Sequence, residues 1–245
     1  MELLALHAIV VGVDGSAASL VAARFAAAEA ARRRLALRVI CTYPPPPVRT
    51  PTAAERWQPH ADAHRIGLDL TGEIRAAHPG LAVDLVEGGG ELAGTLVDQS
   101  RVASLVVVGA DDEAGLVGRS AATRVAGYAV CPTLVVRAAP ADKPVLLAVD
   151  GTDRDSAVVA VAFEEASSRD VPLDAVQIGD SSPETSITMT WAEKHPDVAV
   201  TYLSRRVDDL VDMSAAACLV VVARGEAARP LVHHAACPVL VVPGT

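Results

Sequence analysis

"IVVGVDGSAASLVAARFAAAEAARRRLALRVI", residues 9–40, returns as "VLLAVDGTDRDSAVVAVAFEEASSRDVPLDAV", residues 145–176. Asp14 and Asp150 stand 136 positions apart, and so do Glu29 and Glu165. A second echo closes each copy, "CPTLVV" at 131–136 and "CPVLVV" at 237–242. Self-similarity at one fixed offset marks a repeated structural unit, and it sets the domain organisation before any single element is read. The small, proline-containing stretch "AAPADKP", 138–144, separates the copies. The expected organisation is a first domain over 1–138, a linker over 139–144 and a second, abbreviated domain over 145–245.

Within the first copy, short apolar runs alternate with longer mixed segments. The runs are Ala8–Val13, Leu37–Cys41, Leu81–Val86, Leu105–Val108 and Thr133–Val136. They lack clean polar alternation, as expected of strands covered on both faces. Between the first two, Ser16–Arg34 places Leu20, Ala23, Ala27 and Ala31 at helical spacing, with Ser16 as N-cap. In the second copy Thr152 and Asp155 are spaced like a capping box. Alternating strand and helix predicts an α/β fold with a parallel, doubly wound sheet in each domain. Such sheets bind ligands beyond the carboxyl ends of their strands, where the strand order reverses. The second copy is shorter between its fourth strand and its cysteine, running 222–237 against 108–131 in the first. "RGEAARPLVHHAAC", 224–237, leaves room for a tight loop and a short helix, with Pro230 suited to the first turn.

Composition narrows the function classes. The 245 residues are 51 % apolar and 3 % aromatic, with a net charge of −9 and two lysines, Lys143 and Lys194. No basic face for a nucleic-acid duplex is visible, and stacking platforms for single strands are scarce. No apolar stretch approaches a membrane span, and "MELLALHAIV" lacks the basic flank and cleavage site of a leader. Cys41, Cys131, Cys218 and Cys237 are widely spaced with no C-x-x-C pair, which reads as buried free thiols in a reducing compartment. A cytoplasmic protein without nucleic-acid or membrane partners is expected.

"VVGVDGSAAS" (10–19), "LVEGGGELAGTLVD" (85–98), "LVVVGA" (105–110) and "CPTLVV", in that order, resemble the universal stress protein family. "LLAVDGT" (146–152), "LVVVAR" (219–224) and "HHAACPVLVV" (233–242) repeat the resemblance in the second copy. The chain therefore looks like a tandem member with two domains fused. The resemblance implies two five-stranded parallel-sheet domains of the adenine-nucleotide alpha hydrolase-like type. They would pair as an intramolecular pseudo-dimer through the strands Thr133–Val136 and Val239–Val242, leaving room for a further homodimer. Many members bind ATP and others do not. Binders use an aspartate after strand one, a residue after strand two, and a loop of the form G-x-x-G, nine residues, then G-S or G-T.

Carried onto this sequence, the resemblance assigns Gly12, Val13 and Asp14 to the end of strand one and Thr42 to the end of strand two. In "GADDEAGLVGRS", 109–120, Gly109 matches the first glycine, Asp112 replaces the second and Arg119 replaces the glycine before Ser120. Gly118 and Ala121 flank those last two positions, and the loop is three residues short of the pattern. Phosphate loops work by bare backbone N–H groups converging on an anion, so added carboxylates oppose binding. Two readings stay open. Arg119 pairs with Asp111 or Asp112 and fills the vacated phosphate space, or Asp111 and Asp112 hold Mg²⁺ beside a phosphate that Arg119 also grips. ATP with Mg²⁺ is the candidate cofactor, and the residues alone require none. In the second copy no G-x-x-G follows "LVVV" and no glycine–serine precedes "HHAACP", so that half is expected to be a structural partner without a nucleotide.

Other features read as structure. "EGGGE", 87–91, is expected to be a strand-to-helix turn. His60 and His64 around Asp62 are expected on a solvated helix face rather than as metal ligands. "YPPPPVRTPTAAERWQPH", 43–60, is expected to be a stiff polyproline-like segment near the crevice, carrying Trp57 and able to cover it. No G-x-S-x-G and no phosphate-loop lysine occurs. The resulting expectation is a non-enzymatic stress-response protein that acts on an unidentified protein partner, with a weak or vestigial adenine-nucleotide site in the first domain. The alternatives are an ATP-dependent switch or slow ATPase, and a sensor of another small ligand.

Overall fold

A computed structural model describes residues 7–43, 53–110, 120–137, 142–150, 155–179 and 186–244. The chain divides into two compact units, Met1–Val136 and Arg137–Thr245. In the first unit the order is β1 (Ile9–Val13), α1 (Ala17–Arg33), β2 (Leu37–Tyr43), α2 (Ala53–Ala77), β3 (Val83–Gly89), α3 (Leu92–Gln99), β4 (Leu105–Gly109), α4 (Ala121–Tyr128) and β5 (Thr133–Val136). The second unit holds β6 (Val145–Val149), α5 (Asp155–Arg169), β7 (Leu173–Ile178), α6 (Ser186–Lys194), β8 (Val200–Arg205), α7 (Asp209–Met213), β9 (Leu219–Ala223), α8 (Ala228–His234) and β10 (Val239–Val242).

Every strand pairing within a unit is parallel. The first unit runs β3-β2-β1-β4-β5 and the second β8-β7-β6-β9-β10. The chain leaves β1 toward β2 and β3, then returns to its other side with β4 and β5. The strand order therefore reverses between β1 and β4, and the carboxyl ends of β1, β2 and β4 frame the crevice expected of such sheets. Central strands are apolar throughout because both faces are covered: β1 and β6 are buried along their whole length.

Ser16 caps α1 as the sequence suggests, its hydroxyl accepting from the Ser19 N–H at 3.1 Å. The buried stripe differs from the expected one. It runs through Ser19, Ala22, Ala23, Ala26, Ala27, Glu29 and Ala30, while Leu20 is half-buried and Ala31 is exposed. Small residues bring α1 close to the sheet, so the stripe broadens to include pairs of neighbours. The helix ends at Arg34 in the left-handed region (φ 57°), and Asp170 after α5 adopts the same conformation (φ 56°), again 136 positions on.

Two connections depart from the sequence reading. Of "EGGGE", Gly88 and Gly89 belong to β3, in register with Thr42 and Tyr43, and Gly90 alone turns, at φ +131°. The ladder with β2 carries the glycines into the sheet. Of the segment 43–60, Tyr43 ends β2 and the part from Ala53 onward is helical, Pro59 included. Packing of the helix that follows against β2 and β3 outweighs the proline there. The remainder, 44–52, lies outside the described residues, as does the Thr152 cap.

Candidate functional site

Three elements of the first unit meet around a cavity of about 180 Å³ at the carboxyl end of the sheet. Strand β1 contributes Val13 and the residues that follow, Asp14 and Gly15. Strand β2 contributes Cys41, Thr42 and Tyr43, and α2 closes the far wall with Asp62, Ala63 and Ile66. Gly15 turns the chain at φ +86° and leaves space for Ile66, whose Cδ1 lies 2.9 Å from where a β-carbon would sit.

Asp14 is held by the turn into α1. Its Oδ1 accepts from the Ser16 N–H at 2.9 Å, and its own N–H faces the Ser19 hydroxyl at 3.4 Å. Partial enclosure by this turn pushes its carboxyl upward, but hydrogen bonds from Ser16 and Ser19 outweigh that and hold it below the ordinary aspartate range. A charged carboxylate is thus presented at the exposed mouth of the cavity. At the back, burial and then the nearby charge of Glu87 push the Cys41 thiol up to about 11, so it is a neutral wall at physiological pH.

Behind α2 a second cluster fixes that wall. His64 Nδ1 lies 2.7 Å from Glu87 Oε1, and His60 Nε2 lies 4.0 Å from Glu87 Oε2. The two imidazoles are parallel within 5° at 6.3 Å, and His60 meets the Tyr43 ring edge-on at 5.0 Å. As expected for "HADAH", both histidines lie on an open helix face, with side chains 38 % and 51 % exposed, and the packing of α2 along β2 and β3 adds the approach to Glu87. Among the described residues no group of three or more His, Cys, Asp or Glu side chains is placed to hold a metal ion.

Of the sequence-assigned residues, Val13, Asp14 and Thr42 come together in this cavity. Gly12 lies in β1 under α3, where a β-carbon would sit 2.6 Å from Leu96 Cδ1. Gly109 ends β4 against α1, where a β-carbon would fall 2.6 Å from both the carbonyl carbon and the oxygen of Ala18. Ser120 is the N-cap of α4, its hydroxyl accepting from the Thr123 N–H at 3.0 Å, and Ala121 is the first residue of that helix. Asp111, Asp112, Gly118 and Arg119 lie outside the described residues. Tyr43, Asp62, Ala63 and Ile66 were missed as site residues because the segment before them reads as extended. The apolar residues Ile66, Leu70 and Ile74 at four-residue spacing are the signal that places α2 on the sheet.

The second unit is built differently at the matching place. Val149 pairs with Gln177 as Val13 pairs with Cys41, so a fully buried carboxamide stands where the first unit has a small thiol. Its Nε2 donates to the Ile178 carbonyl at 3.3 Å, and its Oε1 has no hydrogen-bond partner among the described residues. A larger cavity in the first unit, about 620 Å³, lies at the opposite end of the sheet between the segments that lead into β2 and β3. Its walls are mostly small apolar residues with Arg34 and His78, and none of the sequence-assigned residues reaches it.

No helix among the described residues is long and apolar enough to cross a membrane. The universal stress protein family model matches residues 6–137. Universal stress protein Rv2623 of Mycobacterium tuberculosis is 31 % identical over 254 residues, covering 87 % of this chain and 85 % of the relative. Rv2005c of the same organism is 30 % identical over 287 residues, covering 96 % of each. A universal stress protein structure from Archaeoglobus fulgidus superposes with a TM-score of 0.80 at 12 % identity, over 97 % of this chain and 96 % of that one, a likeness of fold. With its repeated α/β architecture and these relatives over most of its length, the chain belongs to the universal stress protein family.

Proposed function

We propose that this chain is a non-enzymatic cytoplasmic regulatory protein of tandem type. Its two domains, 1–138 and 145–245 joined by 139–144, pair as a pseudo-dimer. The crevice of the first domain is a weak adenine-nucleotide site, the second domain has none, and output passes to a protein partner. The observation that carries this reading is the cavity where Val13, Asp14 and Thr42 converge at the carboxyl ends of β1 and β2, next to the strand-order reversal between β1 and β4, in a volume of about 180 Å³. Small-molecule sites usually span roughly 300–1,000 Å³, so this space suits a base better than a whole triphosphate. Further support comes from Gly12 and Gly109, whose bareness is already consumed by Leu96 and by the Ala18 backbone. For the second domain, support comes from Gln177, a bulkier side chain than the thiol it replaces.

Calorimetric titration with ATP, with and without Mg²⁺, tests the reading. The expected result is saturable binding weaker than micromolar and insensitive to Mg²⁺. A micromolar, Mg²⁺-dependent affinity would instead favour the ATP switch built on Asp111 or Asp112. Silence with every adenine compound at millimolar concentration removes the site altogether.

A further inference from the structure

We propose that the first unit carries a further small-molecule site at the amino end of its sheet, for a monocarboxylate with a compact apolar body whose carboxylate is received by Arg34 and His78. It is separate from the crevice at the carboxyl end and does not depend on the adenine-site reading. The site is the cavity of about 620 Å³ between the ends of α1 and α2. That volume lies within the roughly 300–1,000 Å³ of typical ligand sites, which also have mostly apolar walls and few polar groups.

The two copies build this place differently. "AHPGLAV", 77–83, matches "KHPDVAV", 194–200, 117 positions on. The backbone turn is the same in both. His78 N–H donates to the Ile74 carbonyl and Leu81 N–H to the His78 carbonyl, as His195 N–H does to Trp191 and Val198 N–H to His195. The side chains around the turn are not the same. In the second unit His195 contacts the Phe163 ring at 5.6 Å and the Trp191 ring at 5.7 Å. There the Ser167 hydroxyl of α5 also donates to the Asp197 carboxylate, tying the helix to the turn. In the first unit the matching positions hold Ala27, Ile74, Ala31 and Gly80, so neither the aromatic filling nor the tie can form. The charge is inverted as well. Asp170 and Arg34 occupy equivalent left-handed positions, at φ 56° and 57°.

The side chains of Arg34 and His78 both line the cavity, and neither has a hydrogen-bond, ion-pair or ring partner among the described residues. A guanidinium offers forked donors that match a carboxylate, and an imidazole adds a ring N–H. Carbonyls at a helix end oppose an anion, but those closing α1 are engaged: Leu35 N–H donates to Ala30 at 2.9 Å and Arg34 N–H to Ala31 at 3.2 Å. Leu35, Pro79 and Leu81 present hydrocarbon to the body of the ligand.

The test titrates the full chain by calorimetry with 2-naphthoate and with its uncharged counterpart, 2-naphthamide. Wild type should bind naphthoate saturably and about fivefold tighter than the amide, the upper end for an ion pair open to solvent. Arg34→Gln should erase that preference and keep the affinity for the amide. Arg229→Gln, at an exposed position of α8, changes net charge equally and should leave the preference alone. Ala31→Leu with Ala77→Leu fills the cavity from exposed helix positions that tolerate leucine. It should weaken both ligands by about tenfold, the effect of losing roughly two methylenes of burial. Saturating adenosine should not displace naphthoate. No binding at millimolar naphthoate, equal affinity for acid and amide, or a preference that survives Arg34→Gln overturns the proposal. So does an affinity unmoved by the two leucines, or displacement by adenosine, which would seat the acid in the crevice instead.

Discussion

Glu29 and Glu165 are each about 4 % exposed on the first helix of their unit, positions at which a carboxylate is costly unless it is paired. Glu29 is gripped by Arg32 and Arg33, and Glu165 by Arg169 one turn on. Their offset of 136 positions is readable from the sequence, but their burial is not. A glutamate in "AAAEAARRR" looks solvated until α1 is seen to bury Ala26, Ala27 and Ala30 around it. Removing one member of such a pair leaves the other charge partly enclosed. Glu165→Ala should therefore lower the unfolding free energy by about 3 kcal/mol. Replacing both partners with apolar residues, Glu165→Leu with Arg169→Met, should recover most of that loss. Denaturant melts of the three proteins decide it. A cost below about 1 kcal/mol for Glu165→Ala would mean that the pair is already as well solvated as a surface bridge.

At the scale of elements, two glycines are needed for different reasons, and the reasons differ in severity. A β-carbon at Gly109 meets the backbone of Ala18 and the Ser19 nitrogen, so β4 and α1 would have to separate. A β-carbon at Gly12 meets the ends of Leu96 and Leu92, which can rotate away. Gly109→Ala should then cost about 3 kcal/mol and Gly12→Ala roughly 1 kcal/mol, the two ends of the overpacking range. Equal melting temperatures for the two variants would refute the backbone-contact argument. This contrast also marks what the sequence can convey. The strands and their parallel arrangement are legible because doubly covered strands must be apolar, as β1 and β4 are. A glycine at the end of a strand is legible as a close approach, but not what approaches it. Likewise the prolines of 44–47 mask the start of α2, and with it the wall that brings Asp62 and Ile66 to the site. The continuation of β3 through Gly88 and Gly89 is set by pairing with Thr42 and Tyr43, information that lies in another strand.

Over the whole molecule, the buried thiols couple both units to alkaline pH. Burial, then the charge of Glu87, raises Cys41 to about 11 in the first unit. Burial, then the neighbouring Cys218, raises Cys237 to about 12 in the second. Both start from an ordinary value of 9.0, which they regain on unfolding. The folded state thus holds these protons more tightly than the unfolded one. Their contribution to stability is complete below about pH 9 and is lost progressively as pH rises from there through the folded values. Melting temperature measured from pH 7 to pH 11 should fall more steeply above pH 9. Tyrosines and lysines titrate in the same window, but a cysteine variant retains them, so they cancel in a comparison with wild type. Cys41→Ala and Cys237→Ala should each begin lower at pH 7, because a buried side chain is truncated, and each should then show a shallower alkaline decline. Curves that run parallel to wild type throughout would mean that these thiols ionise in the folded protein as readily as in the unfolded chain. The low reactivity of Cys41 as a wall of the crevice would then be lost as well.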